Sequence, residues 1–148
     1  MTPKILMSLL AIFVLIKTYN LKANFKKEVS LLLCFSILVT WFTSHIFISI
    51  GIISFILASI WIIIKGFTIN NLSKIEKANF IVLGIFTSIG LLFRFMNWPF
   101  ATYVSISMII PIILYLYTSI TTKLKFNKDY LFLSILALDC ILRFLRIF

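Results

Sequence analysis

The sequence predicts an all-α, polytopic transmembrane helical bundle of about six spans, five if the first segment only half inserts. Three observations predict it. The 148-residue chain is 62% hydrophobic with a mean hydropathy of +1.16, far above the roughly 45–50% apolar content of soluble domains. Its apolar runs are uniform rather than alternating, which argues against a barrel and leaves helices to satisfy the backbone in lipid. After Lys4, the lysines fall only in the stretches between those runs, where they set orientation and meet anionic headgroups.

Residues 4–19 form the first predicted span. A cleavable signal peptide needs a small-x-small site, and Lys17 and Tyr19 stand there instead. About 15 apolar residues is short for a full crossing. From Lys17 to Glu28, Leu21, Phe25 and Val29 recur every four residues opposite Lys22, Lys26 and Lys27. That pattern suggests an interfacial helix on the membrane surface, with a solvated loop as the alternative.

Residues 29–64 are too long for one crossing, since 36 residues of helix would extend about 54 Å against a core of about 30 Å. The polar group Thr43-Ser44-His45 cuts the run into spans 29–44 and 46–64. Gly51, Ser54 and Ala58 make a small-residue stripe on the second, suited to close helix packing. In the next basic stretch, Ser73 and Glu76 have capping-box spacing, so a helix starts near Ser73. Asn71-Leu72-Ser73 matches a glycosylation pattern but falls on the side expected to face the cytoplasm.

Spans four and five are residues 79–97 and 100–120. Pro111 cannot donate to the Ser107 carbonyl and predicts a kink there, with the Ser105 and Ser107 hydroxyls able to satisfy the freed groups. Lys123, Lys125 and Lys128 form a third basic loop. Asp129 is placed to cap the last span, residues 130–148. Three lysine-rich loops alternating with two uncharged turns put those loops in the cytoplasm and both termini outside. Lys4, Arg143 and Arg146 mildly oppose that orientation.

The net charge of +10 suggests nucleic acid in a soluble protein, but no basic helix or aromatic platform stands clear of the apolar runs, so no nucleic-acid partner is expected. Cys34 and Cys140 lie inside apolar runs without metal spacing and read as small hydrophobes. No metal, cofactor or catalytic constellation is expected.

Four residues carry the candidate intramembrane polar site. Asp139 falls mid-span, where a carboxylate costs about 2.5–3.5 kcal/mol. It reads either as a proton or cation relay, as a structural pair with Arg143 four positions on, or as a protonated acid. Arg94 and Arg143 lie about a turn inside their helix ends, as snorkelling anchors or as a pair holding a lipid phosphate or another anion. His45, the only histidine, sits at a turn beside Trp41. It reads as a polar turn residue, or alternatively as a pH-sensing group. Trp41, Trp61 and Trp98 fall near span ends, as an aromatic belt requires.

Leu92-Phe93-Arg94-Phe95-Met96 is echoed by Leu142-Arg143-Phe144-Leu145, which suggests a repeated unit of basic loop, helix, tight turn and helix. The stretch Phe93, Arg94, Met96, Asn97, Trp98 and Pro99 resembles the F-K-x-M-H-W-P hairpin motif of small Bacteroidota inner-membrane proteins, the GldL-like family. Arg94 stands for the motif's Lys, Asn97 for its His and Phe100 for the usual Gly. The resemblance spans about ten residues. It implies a helix hairpin, not the motor activity, whose intramembrane Glu has no counterpart here.

These readings lead to a multi-span inner-membrane protein, expected to be a non-enzymatic accessory or scaffold subunit. The bilayer and either a membrane-protein partner or a second copy are its expected contacts. The alternatives are a small transporter or ion-conducting protein using Asp139, and a membrane enzyme acting on lipid-linked phosphates.

Overall fold

The computed structural model describes residues 3–19, 24–122 and 130–145, and every regular element among them is helical. The helices are α1 (Pro3–Tyr19), α2 (Asn24–Val39), α3 (His45–Thr68), α4 (Lys74–Phe95), α5 (Ala101–Ser107), α6 (Ile109–Thr121) and α7 (Phe132–Leu145). Three helical stretches are long and apolar enough to cross a membrane: α3, α4, and α5 with α6 taken as one kinked rod over Ala101–Thr121. Lys123, Lys125, Lys128, Asp129 and Arg146, on which the third basic loop, the last cap and part of the orientation argument rest, lie outside the described residues, as do Leu21 and Lys22.

The helices lie alongside one another with their ends in register. Lys4 Nζ donates to the Thr40 carbonyl at 3.3 Å, and Lys27 sits over the Tyr19 ring at 4.2 Å. Those contacts bracket α1 against α2 from one end to the other. Gly51 approaches Ser36 and Thr40 while Lys65 lies over Phe25, bracketing α2 against α3. Phe80 meets Tyr130 and Phe132 edge-on, and Arg143 reaches Gly90, so α4 and α7 run parallel.

One end of the bundle therefore gathers lysines and aromatic rings. Phe25, Phe80, Tyr130 and Phe132 pack edge to face, with Lys26 over Tyr130 at 4.8 Å and Lys65 over Phe25 at 5.5 Å. Such placement gives each ammonium an electrostatic partner without an acid. The opposite end carries the two short turns, 40–44 and 96–100.

Helix α7 is the inner post, packed against α1, α2, α4, α5 and α6. Phe132, Leu133, Ile135, Leu136, Ala137, Cys140 and Arg143 are all buried. A helix with apolar residues on several sides and its one charged pair turned inward belongs in such a position. The outer helices instead expose rows of Ile, Leu and Phe, as Ile53, Leu57, Ile60 and Ile64 do on α3, which is the surface a lipid solvent requires.

Small residues set the closest approaches. A side chain at Gly84 would meet the Ser59 carbonyl at 2.9 Å, and one at Gly51 the Ser36 carbonyl at 2.8 Å. Across the α3–α4 interface Thr87 Oγ1 lies 3.3 Å from Ser59 Oγ while bonding the Leu83 carbonyl at 2.7 Å. The stripe on α3 is thus Gly51, Phe55, Ala58, Ser59, Ile62 and Gly66. Ser54, expected in it, is only partly buried, because at 3.6 residues per turn it lies about 60° from Gly51, on the side away from Phe55 and Ser59.

The local signals for helix ends hold where they are chemical. Glu76 N–H donates to Ser73 Oγ and Ser73 N–H to Glu76 Oε2, a complete capping box. The polar group at 43–45 does break the long apolar run. Other limits moved. The span expected at 29–44 begins at Asn24 and ends at Val39, and the one expected at 46–64 runs on to Thr68. The interfacial helix expected before Val29 is not a separate element among the described residues: Phe25 and Val29 do share a face, but it is the first turn of α2, packed inward.

The kink in the fifth span falls at Ser107–Met108, one turn before Pro111. Met108 N–H turns back to the Ser105 carbonyl at 3.3 Å, which takes it from the carbonyl of Val104. Ser107 Oγ donates to that Val104 carbonyl at 2.7 Å. Ser107 therefore repairs the break, though at a different carbonyl from the one expected. Ser105 bonds Ala101, an ordinary turn back along its own helix.

Candidate functional site

The stretch 92–100 ends α4 by a specific backbone device. Asn97 adopts φ 52°. Its N–H donates to the Arg94 carbonyl at 3.3 Å, and Trp98 N–H donates to the Phe93 carbonyl at 3.0 Å. These two bonds with a left-handed residue between them make a Schellman cap, which satisfies carbonyls the helix leaves open. The accompanying apolar contact is present too: the Trp98 and Phe93 rings meet edge-on at 5.0 Å. Pro99, lacking an N–H, prevents continuation. Every residue behind the motif resemblance therefore serves to stop a helix: Phe93 and Trp98 through their rings, Arg94 through its carbonyl, Met96 as the C-cap, Asn97 through its conformation. Phe100 then takes φ 73° before α5.

Near the same end, α7 places Asp139 and Arg143 on one face, four residues apart. Arg143 Nε donates to Asp139 Oδ2 at 2.6 Å and Nη2 to Oδ1 at 3.0 Å, the bidentate geometry that a guanidinium and a carboxylate favour. Arg143 Nη1 donates to the Gly90 carbonyl on α4 at 3.1 Å. A Cβ at Gly90 would meet the end of the Met108 side chain and lie in ordinary contact, 3.5 Å, with the Arg143 side chain. Arg143 is 9% exposed. It is not a snorkelling anchor, as one reading held, because its head group bonds inward across the bundle.

Arg94 and Lys4 border the same space. A cavity of about 160 Å³ is lined by Lys4, Arg94, Asp139 and Arg143, with apolar walls that include Ile37, Phe55 and Leu91. Of the described charged residues that line it, three are basic and one is acidic. Arg94 and Arg143 both line this cavity. His45 is not brought to it: it opens α3 on the exposed surface, and its carbonyl accepts from Ser49 Oγ at 2.9 Å.

Three contributors escaped sequence reasoning. Lys4 counted only as a charge opposing the orientation. Yet Trp41 Nε1 donates to Ser8 Oγ at 2.7 Å, Ser8 Oγ donates to the Lys4 carbonyl at 2.8 Å, and Lys4 Nζ closes on Thr40. This chain latches the start of α1 to the first turn. Gly90 went unremarked, although a glycine within an apolar helix signals close approach. Asn79 is fully buried with neither amide atom hydrogen-bonded. It lies three turns from Gly90 on the same side of α4, the side facing α6 and α7.

Cys34 and Cys140 are buried and unpaired with each other. Among the described residues no His, Cys, Asp and Glu cluster has the makings of a metal site. Comparison with protein-family models, with curated proteins and with solved structures finds no match.

Proposed function

We propose that this chain is a non-enzymatic integral protein of the inner membrane, an accessory or scaffold subunit that packs against a membrane partner or a second copy. The observation that carries the reading is the use made of Asp139 and Arg143. An acid inside an apolar helix is the first place to look for transport or catalysis. Here both its oxygens are engaged by Arg143, and the remaining Arg143 bond ties α7 to α4. The pair acts as a strut that fixes the inner helix.

The membrane reading extends from three helices to six by geometry. Helices α1, α2 and α7 contribute 17, 16 and 14 described residues, short by themselves against about 20 for a span. They run beside α3 and α4 from the lysine end to the turn end. That alignment supports the reading that a bilayer holding α3 and α4 across its thickness holds these as well. The gathered Lys26, Lys27 and Lys65 support a reading in which the lysine end faces the cytoplasm and the turns at 40–44 and 96–100 the outer side.

Mild solubilisation followed by affinity purification of the full chain tests the subunit reading. A stoichiometric membrane partner or a stable homo-oligomer is expected. A strictly monomeric species that transports ions in liposomes, and loses transport in Asp139→Asn while staying folded, would replace it with the relay alternative.

A further inference from the structure

We propose that the outer groove between α2 and α3 holds one aminophospholipid, phosphatidylethanolamine, with an acyl chain along its apolar floor and the headgroup between Glu28 and Lys65. The inference rests on the membrane reading above, in which the lysine end meets lipid headgroups. It starts from the sequence of α2. Glu28, Leu31, Leu32 and Phe35 stand at i, i+3, i+4 and i+7, which puts one carboxylate at the head of an apolar stripe on a single helical face. Val29 joins them, and Trp61 of α3 forms the far wall of a groove of about 390 Å³. Apart from Glu28, every residue lining it is apolar or aromatic. Leu31, Phe35 and Trp61 are exposed, so the groove opens outward, toward lipid, rather than into the bundle.

The charged end selects the headgroup. Among the acids of the described residues, Glu76 closes the capping box with Ser73 and Asp139 pairs with Arg143. Glu28 is exposed and forms no ion pair with any described residue. Lys65 stands one turn beyond Trp61 on α3, and its ammonium lies 5.5 Å from the centre of the Phe25 ring, one turn before Glu28 on α2. A carboxylate and an ammonium thus border the same end of the groove from facing helices, without closing on each other.

A ligand complementary to both carries a cation and an anion on a short tether above an apolar tail. Phosphatidylethanolamine has that pattern. Its ammonium donates to Glu28 and its phosphate accepts from Lys65, both as charge-assisted hydrogen bonds. Its acyl chain covers Leu31, Leu32 and Phe35. A purely anionic headgroup meets repulsion from Glu28, and a choline headgroup has no N–H to donate to the carboxylate. Trp61, one turn deeper than Lys65, is an amphipathic ring of the kind that settles at headgroup depth.

Native mass spectrometry of the detergent-purified full chain tests the site. The probes are phosphatidylethanolamine, phosphatidylcholine and phosphatidylglycerol. The variants are Glu28→Gln and, as a control at the same end of the bundle, Lys74→Gln; both positions are exposed. One-to-one retention of phosphatidylethanolamine over phosphatidylcholine is expected, weakened roughly tenfold in Glu28→Gln and within about twofold of wild type in Lys74→Gln. Phosphatidylglycerol should bind Glu28→Gln no more weakly than wild type, which separates a lost headgroup contact from a lost fold. Equal retention of the three lipids, or unchanged phosphatidylethanolamine binding in Glu28→Gln, would overturn the proposal while leaving the membrane reading intact. A dimer that forms without lipid and shields a Leu31→Cys thiol from maleimide would give the groove to a second copy and overturn it too. A chain that stays in solution without detergent and retains no lipid would overturn both.

Discussion

Arg143 and Gly90 are joined by a 3.1 Å hydrogen bond from guanidinium to main-chain carbonyl, at a point where a methyl group on residue 90 would push against the end of the Met108 side chain. This contact makes the buried charge an element of architecture. Removing one partner from a buried ion pair leaves an uncompensated charge and typically costs about 3–5 kcal/mol, whereas replacing both by apolar residues is often close to neutral. Arg143→Met should therefore lower stability in detergent by about that amount, and Asp139→Leu with Arg143→Met should recover most of it. Thermal unfolding of the two variants checks this. A double variant no better than the single one would mean that the Gly90 link, not the paired charge, dominates.

Asn79 should be improved by substitution. Its amide is fully buried and without hydrogen bonds, and an unsatisfied buried polar group costs about 1–3 kcal/mol. Asn79→Leu, close in volume, should raise the unfolding temperature. A fall would show that the amide has a partner when the protein sits in lipid.

The turn after α4 makes two opposed predictions. A left-handed conformation costs a residue with a Cβ roughly 1–2 kcal/mol, less for Asn and little for Gly. Asn97→Ala should destabilise by about 1 kcal/mol and Asn97→Gly should be tolerated, while Phe100→Gly, at φ 73°, should gain about as much. Chemical denaturation of the three variants separates them by sign.

At the α3–α4 interface the Gly84 contact with Ser59 leaves no room for a larger side chain. Gly84→Val should cost about 1–3 kcal/mol by overpacking. Ser54→Val, on α3 with Ser59 but only partly buried, should be close to neutral. Similar losses at both positions would contradict the observed helix phase.

These comparisons show what the sequence makes legible. The helical class follows from uniform apolar runs, and the capping box at Ser73 and the stop at Asn97-Trp98-Pro99 follow from local chemistry that a few neighbouring residues determine. Long-range facts are less accessible. The apolar residues of α7 do not distinguish the inner post from an outer helix, since lipid and protein interior ask for the same side chains; only Asp139 and Arg143 point inward. Asp139 and Arg143 were visible as a pair by their spacing. Their link to Gly90 was not, because it depends on which helix packs beside them. Lys4 joins the cavity only because α1 lies back along α2, which no local pattern records.

The central claim is that the chain crosses a bilayer with its lysine-rich end in the cytoplasm and its short turns outside. Single cysteines at His45→Cys and Asn71→Cys, both at exposed positions at opposite ends of α3, labelled with a membrane-impermeant maleimide in intact cells, test it most directly. Residue 45 should react at once and residue 71 only after the inner membrane is opened. Labelling of both from the same side would contradict the account.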